Sequence, residues 1–131
     1  MYRLFSIIAI LITCAIVAEQ IYWAQVLDKL RAHLWPILVK YNLTQIPVSA
    51  RLYGAATHDK ARISICIKYW YSIPQLSYVL LHEYAHVLNT TYGHTDGFWH
   101  WFQTLLDSAA HFHIRVDDYF ATKSYCPTTL V

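Results

Sequence analysis

The chain has 131 residues, of which 56% are hydrophobic and only 14% are charged, so it is long enough for one folded domain and too apolar to be disordered. A formal net charge of +2 gives no basic surface of the kind that binds nucleic acid, so we expect no nucleic-acid partner. The low charged fraction indicates contact with a membrane or with partner proteins in a larger assembly.

The chain begins with an apolar segment that predicts contact with a membrane. Residues 4–18 carry no charge, and as a helix they would span about 23 Å, against about 30 Å for the hydrocarbon layer. Extension through Tyr22 and Trp23 brings the helix close to spanning and places two aromatic rings at the interface. We predict a single-pass membrane protein in which residues 1–23 are a transmembrane anchor or uncleaved signal segment. The alternative is secretion after signal cleavage. The flanking basic residues slightly favour a cytoplasmic domain.

Residues 24–131 are predicted to form one small α+β domain. The N-terminal helix continues to near Leu34, and Pro36 is expected to kink or end it. Strands at 48–53 and 61–67 flank a turn at 57–60, which gives a short β-hairpin or sheet. Two more helices are predicted at 74–89 and 96–110. Cys66 and Cys126 either pair or remain free thiols.

The strongest chemical signal is the pentapeptide His82-Glu83-Tyr84-Ala85-His86. Two histidines four residues apart project from one face of a helix, one turn from each other. This spacing lets both imidazoles bind one zinc ion, with the glutamate placed to deprotonate a water molecule. The surrounding residues are apolar, and polar groups in a buried helix need a partner such as a metal.

The third zinc ligand follows by elimination. A catalytic zinc site needs three protein ligands, and Glu19 and Glu83 are the only glutamates in the chain. Glu83 is the expected base, and Glu19 lies far upstream. His94 is therefore the favoured third ligand, with Asp96 or Asp107 as the alternatives.

A family resemblance supports the same set. Residues 80–88 (LLHEYAHVL) and 93–99 (GHTDGFW), after the strand-like 63–67 (ISICI), resemble the minimal zincin domains of the SprT, WLM and YgjP-like group. The resemblance covers about residues 47–106 and implies a small zincin-like α+β domain. It also implies zinc ligands His82, His86 and His94, with Glu83 as general base. The loop before His94 is longer than usual for the group, and no zinc ribbon follows.

The expected function is therefore a zinc-dependent metallopeptidase that hydrolyses a peptide or protein substrate. Zinc would activate a water molecule, and Glu83 would take its proton and pass it to the leaving nitrogen. Tyr92 and Tyr53, together with Tyr84, are candidates for stabilising the oxyanion or binding substrate. An extended peptide is expected to add to the edge of the strand at 61–67.

A second function remains open at this point. The high aromatic and apolar content also fits a structural or interaction protein of a membrane-associated assembly or virus particle that keeps a zincin fold. The remaining histidines are not expected to bind metal: His100 lies outside the core stripe of its helix, and the others lie at helix ends, on polar faces or in turns, namely His33, His58, His111 and His113.

Overall fold

Three α-helices and a three-stranded sheet make up the fold in the computed structural model, which describes residues 1–127 and 130. The elements, in chain order, are α1 (Tyr2–Lys40), β1 (Val48–Arg51), β2 (Ala55–His58), β3 (Arg62–Cys66), α2 (Ile73–Leu88), α3 (Asp96–His111) and a 3₁₀ turn (Asp118–Ala121). The α+β class and the N-terminal apolar helix are thus confirmed.

Helix α1 has two parts with different surroundings. Its apolar N-terminal part is exposed along its whole length, whereas from Val26 onward one face is buried in the domain core. The helix also runs through Pro36 to Lys40, so the predicted end near Leu34 was wrong, and of the two effects expected of Pro36, a kink or an end, the end is excluded. A proline inside a helix costs about 3 kcal/mol, but burying Ile37 and Leu38 completely in the core returns about 1.5–3 kcal/mol each. Tertiary packing therefore outweighs the local cost.

The sheet has the order β1-β3-β2, with β3 in the centre. Strand β1 runs parallel to β3, and β2 runs antiparallel to it. The sequence had predicted β1 and β3 but not β2. Both edges of β3 are therefore paired, and the expected addition of a peptide to this strand is excluded. The free edge of the sheet on the hairpin side belongs to β2.

A three-residue loop, residues 59–61, joins β2 to β3 and is closed by the pair His58 and Arg62. Asp59 and Lys60 have φ values of 50° and 57°, the left-handed conformation that a tight hairpin turn requires at both central positions. The turn is shorter than predicted, because Thr57 and His58 belong to β2 and pair with β3.

Helix α2 is the centre of the domain. Ser72 caps its N-terminus in a reciprocal capping box with Gln75, and residues 76–85 are all buried. Thr95 caps helix α3, whose apolar face, including Phe98 and Phe102, packs against α2. The bounds of both helices lie within one residue of the prediction, because cap residues and periodicity are local signals.

The C-terminal segment folds back onto the sheet. Cys126 forms a disulfide with Cys66 at the end of β3, with 6.2 Å between the Cα atoms, so the pairing that the sequence left open is formed. The adjacent Tyr125 is fully buried and donates a hydrogen bond of 2.5 Å to the carbonyl of Cys66. The tail is thus fixed to the end of β3 by a covalent bond and a buried ring.

Candidate metal centre

Three histidines meet where α2 faces the loop before α3. His82 and His86 lie one turn apart on α2, and the loop brings His94 against them, so that the ligand nitrogens all lie within 4.8 Å of one another. The Nε2 atoms of His82 and His94 are 3.2 Å apart. Two nitrogens bound tetrahedrally to zinc at about 2.0–2.1 Å lie about 3.3 Å apart, so this spacing fits a shared ion.

The two alternative ligands are not in this group. Within residues 1–127 and 130, the cluster able to hold a metal consists of the three histidines alone. Asp96 is the exposed first residue of α3, and Asp107 accepts a hydrogen bond of 2.8 Å from Gln103 further along the same helix. The structure therefore favours His94 over either aspartate.

The three imidazoles differ in exposure. His82 is buried against the rings of Phe98 and Phe102, His86 is partly buried, and His94 is exposed. A site that is dry on one side and open on the other suits a catalytic metal, which keeps one coordination position for water or substrate.

The loop that carries His94 is held by its own hydrogen bonds. Asn89, buried at the end of α2, donates to the hydroxyl oxygens of Thr91 and Thr95 at 3.3 and 3.1 Å. Gly97 makes room for this amide, because a Cβ atom there would lie 2.7 Å from the Asn89 Oδ1. Gly93 has a φ of +79° and supplies the turn just before His94.

Lys60 ties the hairpin turn to the same loop. Its ammonium group donates to the carbonyl oxygens of His86 and Thr91 at 2.6 and 2.9 Å and lies 4.8 Å from the ring centre of Tyr92. Partial burial lowers the pKa of Lys60. One side chain thus connects the sheet, the end of the ligand-bearing helix and the His94 loop.

Glu83 is the buried carboxyl group next to the histidines, with only 1% of its side chain exposed. Its Oε2 accepts a hydrogen bond of 2.6 Å from the Thr57 hydroxyl on β2. Its Oε1 has no hydrogen-bond partner among the described residues. Burial raises the pKa of Glu83 to about 7, while the Thr57 hydrogen bond and the charge of Arg51 act in the opposite direction.

A cavity of about 280 Å³ opens beside Glu83, His86 and His94. Residues 55–57 of β2 form one wall. Tyr92 lines this cavity, as its proposed substrate role requires. Of the other two tyrosines, Tyr53 is 62% exposed and Tyr84 is fully buried, and neither is among the described residues that line the cavity.

A second cavity, of about 320 Å³, is lined by His82 and His94. Its walls come from the C-terminal tail, residues 120–124, and from the aromatic side chains of Tyr78 and Trp99. Each of the three histidines therefore lines at least one of two cavities, one walled by β2 and one walled by aromatic rings and the tail.

Sequence reasoning found the histidines and Glu83 but missed Thr57, Lys60 and Asn89. Thr57 contacts Glu83, which is 26 positions away in the sequence, and Lys60 contacts Thr91, which is 31 positions away. A local sequence pattern does not show contacts of this kind. The turn at Asp59-Lys60 was a weaker signal for Thr57. It would have allowed β2 to be paired with β3, and that pairing would have directed Thr57 toward α2.

These observations define a class of site: three imidazoles and a neighbouring buried carboxyl group at a cavity, within a small α+β domain that follows a long apolar helix. Comparison with known proteins adds one relative. The chain is 38% identical over 79 residues to a protein of Invertebrate iridescent virus 6 named "Uncharacterized protein 136R". The match covers 55% of this chain and 44% of that protein, so the chain spans less than half of the relative's length. No protein-family profile and no solved structure matches.

Proposed function

We propose that the chain is a membrane-anchored, zinc-dependent metallopeptidase. Its domain would be of the minimal zincin type that the sequence resembles. The observation that supports this most directly is the position of Glu83. Its carboxyl group lies beside three histidine nitrogens that can share an ion, and it faces a cavity large enough to admit substrate atoms. A structural zinc site would need a fourth protein ligand and would not need a buried carboxyl group with one oxygen that has no hydrogen-bond partner in residues 1–127 and 130.

The chemistry assigned to the chain's own residues is proton transfer. A zinc ion held by His82, His86 and His94 would act as a Lewis acid that lowers the pKa of water and polarises a carbonyl group. Thr57 holds Oε2 of Glu83, which fixes the direction of Oε1. Glu83 then accepts a proton from water on Oε1 and returns it to the leaving nitrogen. A pKa of about 7 suits both steps near neutral pH.

The free edge of β2 provides the surface for substrate. Residues 55–57 line the cavity, and their outer backbone groups face away from β3. An extended peptide paired with this edge would run past Glu83 and His86. Tyr92 is 74% exposed at the same cavity, where its hydroxyl is available to the substrate carbonyl group.

The membrane part of the proposal rests on α1. This helix is long and apolar enough to cross a bilayer, and none of the most apolar stretch is buried in the domain. A signal sequence near an N-terminus has the same properties. We propose that the segment is retained as an anchor, because α1 continues without interruption into the domain core.

The function is tested by Glu83→Gln in full-length protein purified with zinc, assayed on an unstructured protein substrate. The amide keeps the size of the side chain but cannot accept the proton, so we expect hydrolysis to fall at least about 100-fold, with one zinc per chain retained. Hydrolysis at the wild-type rate by this variant would remove Glu83 from the mechanism.

The ligand set is tested with His94→Ala, for which His100→Ala is the matched control on the exposed face of α3. We expect the first variant to lose zinc and activity and the second to keep both. Full zinc occupancy in His94→Ala would contradict the ligand assignment. A wild-type protein that binds zinc but cleaves no peptide would favour the alternative, a structural protein that keeps the fold.

A further inference from the structure

The domain carries exposed aromatic and aliphatic side chains on two neighbouring loops. Tyr69 and Trp70, between β3 and α2, are 65% and 72% exposed, and Leu52 and Tyr53, after β1, are 68% and 62% exposed. The loops adjoin each other, because the amide of Cys66 donates to the Gly54 carbonyl group. We call Leu52, Tyr53, Tyr69 and Trp70 the aromatic patch. Contiguous apolar surface of this kind usually marks an interaction site.

The position of the aromatic patch along α1 identifies its partner. The ring of Tyr69 lies 4.4 Å from the ring of Tyr22, centre to centre. Tyr22 and Trp23 are the first residues of α1 that pack against the core, and they follow the uncharged segment 4–18 by only a few residues. At 1.5 Å per residue, Tyr22 lies about 6 Å beyond Ala18, within the thickness of one interfacial layer of a bilayer.

We propose that the aromatic patch inserts into the interfacial layer of the bilayer that α1 crosses, and so holds the domain in one orientation on the membrane surface. The inference rests on the anchor in the proposed function but does not depend on catalysis. Tyrosine and tryptophan favour this layer because their rings are apolar and their polar atoms can bind headgroups or water.

The charges beside the aromatic patch agree with a lipid partner. Residues 48–54 and 66–72 contain Arg51 and Lys68 and no acidic residue. The Lys68 ammonium group lies 3.5 Å from the Leu52 carbonyl oxygen, between the two loops. Basic groups at this level face the lipid phosphates, whereas an acidic residue would be repelled by them.

The test uses full-length protein in liposomes whose lipids carry bromine near the top of the acyl chains, which quenches only tryptophan that enters the bilayer. Trp23 on α1 reports the anchor, and Trp70 reports the aromatic patch. Trp99→Phe is the matched control, because Trp99 is an exposed tryptophan, at 51%, on α3. Zinc content is measured for every variant.

We expect Trp23→Phe to remain quenched through Trp70, the double variant Trp23→Phe/Trp70→Phe to lose the quenching, and Trp99→Phe to match the wild type. Quenching that disappears with Trp23→Phe alone would overturn the proposal while leaving the anchor in place. Protein that does not float with liposomes would overturn both. If bromine does not quench the fluorescence of Trp23→Phe and the chains can be crosslinked to each other, the aromatic patch is a dimer surface and the proposal is overturned. Unchanged zinc content separates each of these outcomes from a failure of the metal site.

Discussion

At the scale of single residues, the site depends on a hydrogen bond that crosses from the sheet to the helix. Thr57 lies 3.1 Å from the backbone carbonyl oxygen of Glu83 and 2.6 Å from its carboxylate, and its single hydroxyl proton goes to the nearer, charged acceptor. The other carboxylate oxygen, Oε1, is buried and has no hydrogen-bond partner among the described residues. Thr57 is therefore a positioning residue for the proposed base.

Replacing Thr57 tests this role. Thr57→Val keeps the shape of the side chain but removes a hydrogen bond to a charged group, worth about 1.5–3 kcal/mol. We expect kcat/KM for peptide hydrolysis to fall about 10- to 100-fold while zinc content and KM change little. Thr57→Ser keeps the hydroxyl but loses the methyl group, and it should keep the wild-type rate; a low rate in Thr57→Ser would show that side-chain packing matters here and not the hydrogen bond.

Tyr125 makes stability depend on alkaline pH. Burial raises the pKa of Tyr125 far above the ordinary value near 10. In the unfolded chain the phenol ionises near pH 10, whereas in the folded chain it stays neutral. Its contribution is complete below pH 10 and falls by about 1.4 kcal/mol per unit above it.

Denaturant unfolding between pH 9 and 11.5 measures this effect. We expect Tyr125→Phe to lower the steepness of the alkaline loss of stability, and Tyr119→Phe, on an exposed ring, to leave it unchanged. Equal slopes in all three proteins would show that Tyr125 does not stay neutral in the folded state.

At the scale of elements, the sequence predicted best what is decided locally. Helices α2 and α3 each have an N-terminal cap residue and apolar periodicity, and α2 also has a proline in its first turn, so their predicted bounds agree with the structure to within one residue. Strand β2 was missed because Ala55 and Ala56 have little strand preference and are held by pairing with β3. The predicted end of α1 near Pro36 was wrong, because packing against residues far away in the sequence outweighed the local cost of a proline inside a helix.

Pro36 therefore makes α1 less stable than the same helix would be with another residue at this position. The proline is exposed, removes one backbone hydrogen bond to the Ala32 carbonyl group and contributes little to the core. We expect Pro36→Ala to stabilise the full-length protein by about 1–2 kcal/mol, after allowing for the greater freedom of alanine in the unfolded chain.

The measurement is the melting temperature in detergent, which should rise by a few degrees. Lys40→Ala at the exposed end of the same helix serves as the control. A lower melting temperature for Pro36→Ala would indicate that the core requires a bend at this position.

At the scale of the whole molecule, the disulfide joins the end of the central strand to the tail. Cys66 and Cys126 are 60 residues apart in the chain, and the segment between them contains α2, α3 and all of the proposed metal ligands. Stable disulfides form in oxidising compartments. An oxidising compartment would therefore keep this pair bonded.

The disulfide is expected to contribute a large part of the free energy of unfolding. Closing a loop of this length in the unfolded chain is worth about 4 kcal/mol, so Cys126→Ser should lower the free energy of unfolding by about 2–4 kcal/mol. Reducing agent should destabilise the wild type by a similar amount and leave Cys126→Ser unchanged. Cys14→Ser, in the exposed part of α1, is the control. A wild type that is insensitive to reductant would show that the bond is absent or adds nothing.

The uninterrupted course of α1 has a mechanical consequence. In the proposed membrane-anchored protein, the helix that leaves the lipid also forms part of the domain core, so α1 itself sets the distance between the domain and the membrane. Such a domain would have little freedom to reach outward. Substrates of the proposed peptidase would therefore have to approach the membrane, and unfolded chains or loops close to the same lipid surface would be best placed to do so.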